Sequence, residues 1–180
     1  MLIVGAFFSI GLTIFHINGS LFLKDVFAWG PGYIGGIMVL VGICDIISRA
    51  FLLPQLLKRF DEKAISQVGL IGLTIGMSMI FLSAYVINSI LLMAAVAILV
   101  LGEGLFDPSY NTELSATVDE SKQGRLQGVY RSLHAIYQTI VPLVTAGIYM
   151  YDHSAIFGIA AIFMFLALVT LVKFHKTYQH

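Results

Sequence analysis

Aliphatic runs recur along the chain, each ended by a short polar or turn-forming stretch. Six such runs, at about 2–23, 31–57, 64–85, 89–111, 124–150 and 155–173, are long enough to be helices that cross a bilayer, since a span needs about 20 apolar residues. The second and fifth are long enough to tilt or to run past the hydrocarbon core. Between them lie "WGPG", "RFDEK", "VINS" and "YDHS", which carry turn chemistry. The stretch "TVDESKQG" reads as the longest and most polar loop.

Polar residues are shared unevenly among the six spans. The sixth carries nothing more polar than Thr170, and the third, past Gln67, holds only serines and a threonine. Both read as lipid-facing scaffold, and Gly72 and Gly76 form a small-residue pair suited to helix packing. In the first span Ser9, Thr13, His16 and Ser20 are spaced by four, three and four residues, so they share one helix face. Such a stripe borders a water-filled path or a polar neighbour; alternatively, its hydroxyls bond back to their own helix and His16 is a buried histidine.

The second span holds Asp45 and Arg49 at ion-pair spacing, followed by Pro54, which should disturb the helix near its end. The fourth holds Glu103 between Gly102 and Gly104, then Asp107 before Pro108. In the fifth, Arg131, His134 and Gln138 share a face, with Pro142 one turn later. A helix break at such a proline is tolerated where neighbours or water satisfy the freed carbonyl. By rise along the helix, Asp45, Arg49, Glu103, Asp107 and Arg131 fall at similar depths. Three acids then face two arginines, and a lone carboxylate is disfavoured at low dielectric. Glu103, the deepest, is the candidate proton carrier, with Asp45 second. Arg49, Asp107 and Arg131 suit a gate that pairs in one conformation and parts in another. Asp107 has a further reading as a local cap or turn former ahead of its proline.

Composition strengthens the membrane reading. Of 180 residues, 58% are apolar and 11% charged, and mean hydropathy is +0.91. Soluble domains have about a quarter of their residues charged, so this is an integral membrane protein. Net charge is zero, and no basic tract points to nucleic acid. Cys44 is the single cysteine and reads as a core residue. Lys58, Arg59, Lys63, Lys122, Arg125, Lys173 and Lys176 fall on one side of the membrane and Lys24 alone on the other. That asymmetry assigns the basic side, with both termini, to the cytoplasm. No basic segment precedes the first span, so no cleavable signal is expected. Its start near Met1 fits either a natural six-helix protein or one half of a longer chain. His16, His134 and Glu103 lie on three separate spans without metal-motif spacing, so no metal or other cofactor is expected. His153, His175 and His180 are expected to be solvated in a loop or tail.

The stretch "GLFDPSYNTELSATVDESKQGRLQGVYRSLHAIYQTIVPLVTAGIY" resembles the tenth and eleventh helices of the major facilitator superfamily, and most of all its drug:proton antiporter branch, which includes the tetracycline-efflux proteins. The resemblance rests on the Gly-rich turn before Pro108, Asp119-Glu120, Gln123-Gly124, Gln127-Gly128 and Pro142. "LPQLLKRFDEKAISQVG" resembles the cytoplasmic basic motif between helices eight and nine, with Gln55, Arg59 and Lys63 at its positions. Asp61 and Val141 stand where the family usually has glycine, and the third span lacks the acid that tetracycline-efflux proteins carry there.

The resemblance covers essentially the whole chain and implies an all-α membrane fold of residues 1–180, with six helices as two inverted three-helix repeats, half of a major facilitator fold. It implies a bacterial inner-membrane transporter working by alternating access, in proton-coupled efflux of a small molecule. The partner would be an N-terminal six-helix half or a second copy. Ser9, Thr13, His16, Ser20, His134 and Gln138 would line the substrate path, Glu103 and Asp45 would handle protons, and Arg49, Asp107, Arg131, Arg59 and Lys63 would form the cytoplasmic gate. The alternative function is a non-transporting membrane subunit or regulatory module that keeps this fold. An enzyme is not expected.

Overall fold

The computed structural model describes residues 1–177; His180 lies outside them. Six helices cross back and forth: α1 Leu2–Asp25, α2 Pro31–Leu57, α3 Glu62–Val86, α4 Ser89–Ser115, α5 Glu120–Tyr151 and α6 Ala155–Thr177. No strand occurs among the described residues. The expected spans match in number and order. The differences lie at helix ends, where α4 and α6 each run four residues beyond the apolar stretch and α5 starts four earlier. Hydropathy follows the lipid-exposed part of a helix, whereas backbone hydrogen bonding carries the helix on into polar sequence. As a result the connection around "TVDESKQG" shrinks to residues 116–119. It is shorter than 26–30 and is not the longest loop.

Helix ends follow local chemistry. Asn88 starts α4 by accepting from the backbone N–H of Ile90 at 2.9 Å and of Leu91 at 3.1 Å. Just before it, Ile87 turns the chain out of α3 with φ 48°, a left-handed conformation unfavourable for a β-branched side chain. At the start of α6, one oxygen of Asp152 accepts from the N–H and hydroxyl of Ser154 and from the Ala155 N–H. These bonds hold the Asp152 carboxyl below the usual carboxylate range.

The pattern of neighbours has an internal symmetry. α3 packs along α4, as α6 packs along α1; α2 touches α4, as α5 touches α1; and α3 meets α6. Exchanging α1–α3 with α4–α6 leaves this pattern unchanged. Because α1 and α4 run in opposite directions, the two triplets are inverted repeats.

Glycines set the closeness of the packing. A Cβ on Gly69 would lie 2.7 Å from the Phe106 backbone nitrogen, one on Gly76 2.7 Å from Leu99 Cβ, and one on Gly102 2.7 Å from the Gly69 carbonyl. α3 and α4 therefore pack nearly backbone to backbone, as the Gly72–Gly76 spacing suggested. The scaffold expectation for α3 and α6 needs one correction. Both show apolar faces outward, at Ile71, Ile75, Ile162 and Phe165. Their inner faces also hold a buried polar cluster, described below.

The prolines behave differently from one another. α4 runs through Pro108 and α5 through Pro142 without interruption. Neither the turn before Pro108 nor a break at Pro142 is present. In α2, by contrast, residues Ile47–Leu52 are π-helical, and the Leu53 N–H bonds to the Ser48 carbonyl five residues back. Pro54 has no N–H and its ring crowds the preceding turn, so widening that turn accommodates it.

Candidate functional site: a polar cavity on one side of the bundle

The sequence G-E-G at 102–104 orients α4. Gly102 presses on α3, while a Cβ on Gly104 would meet the Ser48 side chain of α2. The Ser48 hydroxyl donates to the Leu101 carbonyl at 2.9 Å. Held on both flanks by glycine contacts, α4 presents Glu103 to a third direction, where α1 and α5 border a cavity of about 800 Å³. Thr13, His16, Glu103, Asp107, Asn111, Gln127, Tyr130, Arg131, His134 and Gln138 supply its polar lining, and Phe8 and Leu12 part of its apolar wall.

Most of the expected path residues meet here. Glu103 lies 3.5 Å from His16 Nε2, with its side chain 15% exposed. His134 bridges two of the others: its Nδ1 is 3.0 Å from the Ser9 hydroxyl, and its Nε2 is 3.0 Å from the Gln138 amide nitrogen. With the amide in this orientation Gln138 donates to Nε2, so Nδ1 carries the ring hydrogen and donates to Ser9. Ser9 is fully buried and reaches the cavity through His134 and Tyr130. Ser20 is not brought in. It is exposed and lies on the same face of α1, beyond the end of the cavity at Ile17.

The gate candidates divide into two groups. Arg49 donates through Nε to Asp45 at 2.7 Å and through Nη1 to Asp107 at 3.2 Å, joining α2 to α4. The Asp107 side chain also accepts from the Asn111 amide at 3.0 Å. Asp107 therefore stands inside a helix, and its reading as a cap or turn former does not hold. Asp45 and Asp107 share Arg49, which leaves Glu103 as the acid with only a histidine beside it. Arg131 lines the cavity and enters no ion pair among the described residues. Arg59 and Lys63 are exposed at the basic end, away from the cavity, and likewise form no ion pair there.

Sequence reading missed Asn111, Gln127 and Tyr130. Asn111 was legible as one turn beyond Asp107 on the same face. Gln127 donates to the Ser115 hydroxyl at 2.9 Å, a contact between elements that no local pattern shows. It also misplaced His175. That residue is 4% exposed, because α6 continues through it on the face of Met164, Ala167 and Leu171. His153 is exposed, with its Nε2 4.0 Å from Asp25.

Two helices flank the cavity with their outer faces bare. In the most apolar stretch of α2 and of α5, 17% of residues are buried, against 33–50% in the other four helices. Gly32, Gly35, Gly36 and Gly42 on α2, and Gly124, Gly128 and Gly147 on α5, have nothing within 4 Å of a built Cβ.

A family model described as Major Facilitator Superfamily matches residues 1–179. The chain belongs to the major facilitator superfamily. Its six helices are half of that fold, and it is an integral membrane protein. Among curated relatives, it is 31% identical to the class H tetracycline resistance protein of Pasteurella multocida, over 73% of this chain and 32% of the relative. It is 28% identical to the class C protein of Escherichia coli, over 78% and 34%, and 28% identical to the class D protein of Salmonella ordonez, over 85% and 39%. The chain thus spans about a third of the length of these relatives.

Proposed function

We propose that this bundle is one half of a transporter that exports a small molecule by alternating access, driven by protons, across a bacterial inner membrane. The observation that carries the reading is a polar cavity bordered by α1, α4 and α5 in a bundle whose α2 and α5 have bare outer faces. Six helices form one wall of such a cavity, and a second six-helix bundle on the α2 and α5 faces supplies the other. The open glycines support this, since they pack against nothing within the bundle. So does the greater length of the relatives. The second bundle is an N-terminal half or another copy of this chain.

In this reading Thr13, His16, His134 and Gln138 face the substrate, with Ser9 fixing the His134 ring. Glu103 exchanges the proton, His16 being the nearest group to share it. Arg49, bridging Asp45 and Asp107, is the gate, and it lies in the π-helical turn of α2, a type of distortion frequent at functional sites. The basic end of the bundle, with both termini, faces the cytoplasm.

Reconstituted with its partner bundle, Glu103→Gln is expected to abolish exchange driven by a pH gradient while ligand binding stays measurable. Proton-coupled uptake at the unmodified rate by that variant rules out Glu103 as the carrier. Loss of substrate movement in the unmodified assembly itself favours the non-transporting module.

A further inference from the structure

Behind the cavity, at the basic end, four side chains from three helices form a closed polar cluster. His175 of α6 places Nε2 2.6 Å from Glu113 of α4 and Nδ1 2.7 Å from the Gln67 amide of α3. The Ser66 hydroxyl donates to the other Glu113 oxygen at 2.5 Å. The histidine and glutamate side chains are 4% and 8% exposed, and Ser66 is fully buried. None of the four lines the cavity of Glu103. Glu113 and His175 do border a separate recess of about 1120 Å³ at the basic end, so water reaches their edge.

With Glu113 ionised, the donor and acceptor inventory gives this cluster two complete states. An ionised carboxylate only accepts, so beside it His175 Nε2 must carry a hydrogen. Nδ1 then has a choice. As a lone pair it accepts from the Gln67 amide nitrogen; protonated, it donates to the Gln67 carbonyl oxygen after the amide turns over. Both states keep every hydrogen bond, and they differ by one proton. With that proton the buried carboxylate faces an imidazolium; without it the carboxylate has no charge partner in the cluster, which is costly in a buried site.

Among the described residues His175 is the one group within ion-pair distance of Glu113. Asp61, Glu62 and Lys63 border the recess from the α2–α3 connection and the start of α3. Within α4, Tyr110 lies near Glu113. Leu2 and Ile3 of α1 and Leu126 of α5 bring no charged side chain to the recess. Met1 brings its terminal amino group, which burial makes easier to deprotonate. Substitution of Glu113 or His175 separates a step at that pair from one at the amine.

We propose that Glu113 and His175 form a second proton-binding site, filled from the basic end, whose bound proton clamps the end of α4 to α3 and α6. The ligand is a proton, and the pair is separate from Glu103 in both position and access. The clamp weakens as pH rises and the proton leaves. α4 also carries Glu103 and Asp107, so the occupancy of this site sets how firmly the end of that helix is held. The inference stands apart from the transport reading and is tested without a substrate.

The test is hydrogen exchange of the backbone amides at 113–119 in the full chain in lipid nanodiscs. It is measured from about pH 5 to about pH 8, where histidine ordinarily titrates, and corrected for the intrinsic pH dependence of exchange. Protection is expected to fall about tenfold as pH rises, because every hydrogen bond is kept but the Glu113 carboxylate loses the imidazolium that balances its charge. Glu113→Gln and His175→Gln are each expected to remove that step. A flat profile in the unmodified protein, or a step that survives in both variants, overturns the proposal. Nitrogen-15 labelling of the histidines in the unmodified protein gives a second reading that no variant can confuse. The His175 ring is expected to change protonation state within that range, and a ring that keeps one state throughout overturns the proposal.

Discussion

Arg49 satisfies two carboxylates at once, and that contact ties α2 to α4 more specifically than the apolar packing around it. All three side chains are about one-third exposed, so the pairs contribute modestly to folding. In the proposed transport cycle their value lies in being breakable. A double-mutant cycle on Arg49 and Asp107, read by labelling of a cysteine placed in the cavity, is expected to show a coupling of about 0.5–3 kcal/mol. Additive effects would remove the latch. The pair was legible from the sequence because depth along a helix follows from residue number. The contact of Glu103 with His16 was not, because the sequence fixes the face of each helix but not which faces meet. His175 was misplaced for a simpler reason: its buried spacing with Leu171 and Ala167 was present, but the apolar run had ended two residues before it.

At the scale of the element, the glycines divide into two sets that the sequence alone does not separate. On α3 and α4 a neighbouring helix takes the space a Cβ would need, largely with backbone and at Gly104 with the Ser48 side chain, and on α2 and α5 they face outward. Gly76→Ala is expected to destabilise the isolated bundle by about 1–3 kcal/mol, since Leu99 backbone atoms lie within 2.9 Å of the new methyl. Gly36→Ala is expected to leave the bundle unchanged or raise its stability by about 0.5–1 kcal/mol through helix propensity. Thermal unfolding in detergent compares them, and equal effects would contradict the packing described here. At the start of α6, Asp152→Ala removes three accepted hydrogen bonds and is expected to cost about 0.5–2 kcal/mol. Because the folded carboxyl is held below its ordinary range, this contribution is present above the unfolded pKa and is lost as pH falls through the folded one. The unmodified protein and the variant should therefore converge in acid. Pro54 made a disturbance in α2 predictable, but not that it takes the form of a π-helical turn.

For the whole molecule, the polar residues pick out α1, α2, α4 and α5. Three of these line the cavity, whereas α2 supplies no lining residue and reaches it only through the Arg49–Asp107 contact. The same sorting hid the Glu113–His175 cluster, since two of its three helices carry few polar residues. The bare faces of α2 and α5 are the central claim, because they separate half of a transporter from a finished bundle. A photoreactive side chain at Val39 on α2, at Leu143 on α5 and at Phe165 on α6, each more than half exposed, tests it in native membranes. Val39 and Leu143 are expected to cross-link to a second six-helix bundle, identified by mass as another copy or a partner chain, and Phe165 to lipid alone. Lipid adducts at all three positions would contradict the account.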